Sequence, residues 1–207
     1  MEKISEHLSY AEATTTSTGV DNTPQEQHIV KMKAIAKKIF EPLRKGLGGK
    51  PIRVNSMFRS KGVNQAIGGA HKYINGKYVA TSQHCSGEAL DLDGLKSTNA
   101  ELFFYILDNL DFDQLIWEKG DKNNADWIHV SYKSKEKNRK AVLVFTGSGY
   151  YVYEEGCVNR PKPKAKPKAK PKPKIAVVKK EVLAKTPKKQ GRGRPKGSTS
   201  AKKKGAK

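Results

Sequence analysis

Cysteine is scarce: the 207 residues hold only Cys85 and Cys157. At most one bridge can form, so a disulfide scaffold is excluded and reduced thiols are the simpler state. No stretch approaches the roughly 18–20 apolar residues that a membrane-spanning helix needs. The opening MEKISEHLSY lacks the apolar run of a secretory signal. These absences predict cytoplasmic synthesis without a signal peptide or transmembrane segment; if the protein acts outside the cell, something else must release it. Apolar residues make up only 36% of the chain, little for a wholly globular protein. The length leaves room for one substantial domain with a tail.

Acidic residues are nearly absent from one end. Between Pro161 and Lys207 there are 19 Lys and Arg against one acid, Glu181, whereas the first 160 residues hold 22 bases against 19 acids. The formal charge of +21 is therefore mostly a property of the tail. PKPKAKPKAKPKPK favours extended, solvated polyproline II, and residues 158–207 are expected to be disordered on their own. No aromatic interleaves the lysines, which excludes base stacking as a binding mode. GRGRPKG (191–197) is similar to an AT-hook. Arg192 and Arg194 suit the narrow minor groove of A·T DNA, and Pro195 directs the chain along it. The same polycation could instead hold an anionic cell-wall polymer or membrane surface, or serve only solubility.

Residues 1–22 are polar and show little periodicity; they read as an N-terminal segment ahead of a domain spanning 23–157. Thr23 with Glu26 fits a capping box, with Pro24 at the first helical position. Ile29, Met32, Ile35, Ile39, Phe40 and Leu43 recur at helical spacing. Pro42 should kink or shorten the last turn. PIRVNSMF alternates as a strand, SKGVNQAIGG is a short helix, and Asn75-Gly76 is a hairpin signal. GEALDLDG puts Asp91 and Asp93 on one strand face. STNAELFFYILDNL is an amphipathic helix capped by Ser97 or Thr98. Four short strands follow, in DQLIWEKG, DWIHVSYK, AVLVFTG and YYVYEEG. The order predicts an α+β domain with an antiparallel or mixed sheet and flanking helices.

TSQHCSGEALDLD (81–93) concentrates chemistry-bearing residues. With His84 at the mouth of the strand and Asp91 on its inward face, both can aim at one point. Two ligands do not hold zinc well; the third candidate is His129 in DWIHVSY, on one strand face with Trp127 and Ser131. Each signal is weak alone. A histidine in mid-strand is ordinarily a satisfied core residue, and a lone aspartate reads as a strand-edge charge. The whole pattern is specific. Ser82-x-His84-x-x-Gly87-x-Ala89-x-Asp91, followed by His129, resembles the signature of the D-Ala-D-Ala carboxypeptidase family of zinc peptidases, which includes dipeptidases and phage endolysins of the hedgehog/DD-peptidase fold. SYAEATTTSTGVDNTP, GGKPIRVNSMFRS and VNQAIGGA stand in the order used by its compact, phage-associated branch. The resemblance covers about residues 8–153 and says nothing of the tail.

The resemblance implies that fold, a Zn2+ cofactor on His84, Asp91 and His129, and peptidoglycan stem peptides as substrate. The donor types agree: two imidazoles and a carboxylate leave a fourth tetrahedral position for water, which the ion acidifies. Gly87 lets the backbone bend between two ligands. Ser82 is placed to fix the His84 ring or meet substrate, and Cys85 reads as a packed thiol. A general base is also needed. The resemblance offers Asp126, three residues before His129, or Glu118 at the end of QLIWE. Asp126 needs a bend to face the metal, so both stay open. Arg59 in SMFRS matches the family's arginine at that strand end and is the cation for a substrate carboxylate. The plainer reading is a surface arginine. HKYINGKYVA, with His71, is longer than the family's usual loop. His7 and His28 show no partner and read as surface residues.

Two functions of different class follow. One is a zinc peptidase cleaving peptidoglycan stem peptides, a D,D-carboxypeptidase or endolysin-like endopeptidase, phage-encoded and released by a holin or carried in the virion. The other is a DNA-associated binding protein with a non-catalytic zinc domain and an AT-hook tail.

Overall fold

A computed structural model describes residues 2–162. The predicted tail, including the AT-hook-like stretch at 191–197, lies outside the described residues. The polar N-terminal segment is not set apart from the domain. Strands β1 (Lys3–Ser5) and β2 (Leu8–Ser9) form a small hairpin, and helix α1 (Tyr10–Thr14) follows, capped reciprocally by Ser9 and Glu12. Ile4, Leu8 and Ala13 are buried in the main core. Periodicity missed this because three short elements are too brief to repeat a pattern.

Helix α2 (Glu26–Ile35) begins two residues later than the Thr23 capping box predicts. Thr23 is otherwise engaged: its amide and hydroxyl both donate to Asp21 Oδ1. Gln25 and His28 form the cap instead. The chain continues through a π-helical turn (Ala36–Phe40) into α3 (Glu41–Gly46). Pro42 sits in the first turn of α3, where a missing N–H costs nothing. The wide turn just before it, closed by Glu41 N–H donating to Ala36 O, lets the axis pass the proline ring rather than stop.

Next come β3 (Ile52–Ser56), α4 (Lys61–Ala66), the hairpin β4 (His71–Ile74) and β5 (Lys77–Ala80), a 3-10 turn (Gln83–Ser86) and β6 (Ala89–Gly94). Asn75 and Gly76 form the hairpin turn with φ of 50° and 74°, the two left-handed residues such a turn requires. Helix α5 (Asn99–Asn109), β7 (Gln114–Glu118), β8 (Trp127–Ser131), β9 (Ala141–Phe145) and β10 (Tyr150–Val152) complete the order. Thr98, not Ser97, caps α5.

Six strands form one mixed sheet in the order β10-β9-β7-β8-β6-β3. Only the β7–β9 pair is parallel. Alternation assigns its two faces. Leu90, Leu92, Leu115, Trp117, Ile128 and Val130 are buried together with Met32, Ile35, Phe40 and Phe103 of the helices. Each such side chain stabilises the fold by about 1.5–3 kcal/mol. The intervening residues of β6, β7 and β8 point to the opposite face. The core extends past the predicted boundary at 157: Val158 is buried, and Arg160 pairs with Asp108. Among the described residues no helix is long and apolar enough to cross a membrane.

Candidate metal centre

Register brings the first two candidates together. Asp91 on β6 is the direct cross-strand partner of His129 on β8. His84 arrives from the 3-10 turn that precedes β6. Gly87 ends that turn at φ 73°, and a Cβ there would lie 2.8 Å from His28 O, so the bend requires glycine. His84, Asp91 and His129 are all buried. His129 Nδ1 stands 3.0 Å from Asp91 Oδ1 and 3.2 Å from His84 Nε2, and His84 Nε2 is 3.3 Å from Asp91 Oδ1.

The donor set fits zinc. Bonds of about 2.0–2.1 Å to N and O put tetrahedral ligands about 3.3 Å apart, close to the three edges found here. The tautomer fits as well. His84 Nδ1 lies 2.8 Å from Met57 O; a carbonyl only accepts, so Nδ1 carries the proton and Nε2 presents its lone pair. Ser82, expected to fix this ring, is therefore replaced in that role by a backbone carbonyl that residue types do not reveal. Ser82 instead lines the cleft above the centre. Burial pushes His84 towards the neutral imidazole that a metal needs. Burial opposes the charge on Asp91, but the two histidines beside it outweigh that and hold the carboxyl well below its ordinary range. Cys85 lies outside this donor group, and burial pushes its thiol up.

The profile of the peptidase M15 family matches residues 6–131. The chain belongs to the peptidase M15 family. No curated protein matches the chain. The family is zinc-dependent, so the buried triad belongs to a zinc metallopeptidase, and the family implies a peptidoglycan-type substrate.

In this M15 peptidase the centre opens into a cleft of about 580 Å³. The two candidate bases fare differently there. Glu118 lines the cleft and is buried to 7% exposure; burial pushes its carboxyl up. Asp126 is exposed and is not among the lining residues. Its amide donates to Glu118 O, and its carbonyl accepts from Asn99 Nδ2. Glu118 pairs directly with Trp127, and Ile116 with His129. Glu118 therefore projects from the same sheet face as the ligands, one alternation along.

Arg59 also lines the cleft, and it has a role that sequence alone did not reveal: Nη2 donates to Asp91 Oδ2 and Nε to Ser56 Oγ. His71 stacks on Tyr78 in the exposed hairpin, with centroids 4.9 Å apart. The two histidines without visible partners have them. His7 Nδ1 lies 2.8 Å from Glu41 Oε2, and His28 packs on Phe58 with centroids 4.9 Å apart.

Asp113 is another residue the sequence reading passed over. Its fully buried carboxylate accepts from the Nε, Nη2 and main-chain amide of Arg139 and from Nε2 of Gln83, the neighbour of His84. Burial works against its charge, but these bonds win and lower the carboxyl to about 2. The folded value lies below the unfolded one, so this stabilisation is complete above about pH 4 and fades as pH falls towards 2. In urea titrations of the metal-stripped chain, the wild type should lose about 2 kcal/mol more than Asp113→Asn over that interval. Equal losses would show that Asp113 does not anchor the turn.

Proposed function

We propose that this M15 peptidase cleaves peptidoglycan stem peptides, as a D,D-carboxypeptidase or an endolysin-like endopeptidase. The observation that carries the reading is the convergence of His84, Asp91 and His129 at the floor of a cleft whose adjoining wall presents Glu118. His84 Nε2, Asp91 Oδ1 and His129 Nδ1 would hold the ion. Zinc, when bound, polarises the scissile carbonyl and makes a hydroxide nucleophile accessible near neutral pH. Glu118 accepts the proton of the attacking water on a carboxylate oxygen and returns it to the leaving amine nitrogen. A carboxyl raised by burial serves both transfers better than an ordinary one. Arg59 keeps Asp91 oriented and is the cation for a substrate carboxylate. Ser82, which also lines the cleft, contacts the substrate.

The test is zinc analysis together with product masses from purified peptidoglycan. One zinc per chain is expected, with cleavage that EDTA stops and zinc restores. Release of single terminal alanines identifies a carboxypeptidase, and scission within stems or bridges an endopeptidase. Absence of any zinc-dependent product would overturn the proposal. A second reading rests on GRGRPKG: a DNA-associated protein with an idle zinc domain. It requires A·T-favouring DNA binding that Arg192→Ala with Arg194→Ala removes, and no peptide turnover. On the peptidase reading, a chain ending at Lys162 cleaves small peptides as fast as the full chain.

A further inference from the structure

The cleft-facing side of the sheet has a second row of residues that the ligands do not use. Ladder pairing runs Trp127–Glu118–Phe145–Tyr150 across β8, β7, β9 and β10. Directly paired residues project from the same face, and all four line the cleft. The row runs parallel to the Asp91–His129–Ile116 row, one alternation away. Glu118 thus stands between two aromatic rings, which explains the burial that raises its carboxyl. Beyond Phe145 the row ends in a phenol.

Neighbouring strands lie about 4.8 Å apart, so the Tyr150 backbone is about 10 Å from that of Glu118. The ring packs on Phe145 with centroids 4.6 Å apart and planes at 30°, which limits its swing. Tyr150 is 59% exposed; the partial desolvation of its ring and the negative charges of Glu118 and Asp91 push the phenol up.

We propose that Tyr150 is a catalytic residue of this peptidase, whose hydroxyl donates a hydrogen bond to the scissile carbonyl oxygen as negative charge develops there. The proposal rests on the peptidase reading above. Three of the other donors that line the cleft are engaged elsewhere: Arg59 with Asp91 and Ser56, Gln83 with Asp113, and Lys119 over the Trp127 ring. A neutral donor on the same face supplies what the developing charge needs, and it costs little reorganisation because the ring is already stacked. No proton leaves the phenol.

The experiment compares Tyr150→Phe, which keeps the ring and its stacking, with Tyr151→Phe. Tyr151 follows on β10, points to the other face by alternation and does not line the cleft. Both are measured as zinc-loaded full-length enzyme. Tyr150→Phe should retain one zinc and lose about 100-fold in kcat with KM within about twofold. It should bind a phosphinate analogue of the scissile bond about 100-fold more weakly by calorimetry, while binding of the uncleaved stem peptide is unchanged. Tyr151→Phe should match the wild type in every respect. The proposal fails if kcat and phosphinate binding survive in Tyr150→Phe, or if only KM changes, which would make the ring a substrate platform. A wild-type enzyme with no zinc-dependent cleavage overturns the peptidase reading first and this role with it.

Discussion

His129→Ala will leave a folded chain that no longer retains zinc, and stem-peptide turnover will fall by about a thousandfold or more. His129 is one of the three donors that this group offers among the described residues, and two do not hold zinc well. Losing the ion removes several kcal/mol of charge stabilisation from the transition state, at about 1.4 kcal/mol per factor of ten. The fold should survive. His129 sits on the cleft face, while the buried leucines, isoleucine and tryptophan of the same strands face the helices. Removing the imidazole also leaves Asp91 with partners in His84 and Arg59, so no buried charge is stranded. Zinc stabilises a state that binds it, so added zinc should raise the Tm of the wild type and leave that of His129→Ala where it was. Stoichiometric zinc in the variant, with activity intact, would remove His129 from the centre.

Glu118→Gln should behave in the opposite way: full zinc content, unchanged Tm response, and kcat reduced by about 10²–10⁴, the range for a positioned acid–base group. The amide is the same size and can still hydrogen-bond in the cleft, but it cannot take a proton. Asp126→Asn is the matching control and should stay within about twofold of wild type, because that side chain is exposed and outside the cleft. If the two variants exchange these outcomes, Asp126 reaches the substrate by a route that this geometry does not provide. Steady-state kinetics on one muropeptide, with zinc measured on the same samples, decides it.

The metal centre was legible in the sequence because its chemistry is written in residue type and spacing. A histidine before a Gly-x-Ala-x-Asp strand and a histidine in a later strand are unusual enough to find each other on the page. The choice of base was not legible. Both acids lie near His129 in sequence or sheet, and only the pairing of Glu118 with Trp127 shows which one shares its face. Tyr150 was invisible for a related reason: YYVY alternates like any edge strand, and nothing local says that β10 ends the row containing Glu118. The anchor of His84 is a main-chain carbonyl, which carries no side-chain signature. The N-terminal hairpin escaped because its three buried residues belong to elements of two to five residues, shorter than any period.

That same segment governs the site from a distance. Phe58 donates its amide to Ala13 O and accepts from Asn22 Nδ2, and Ser60 donates its amide to Asn22 Oδ1 and its hydroxyl to Asp21 O. Arg59 lies between them, and Met57 O, which sets the His84 tautomer, comes one residue earlier. A preparation trimmed for convenience to begin at the first long helix would keep every ligand. It would still release the clamp on the arm that steadies two of them, and leaky metal retention from such material would say nothing about the intact enzyme.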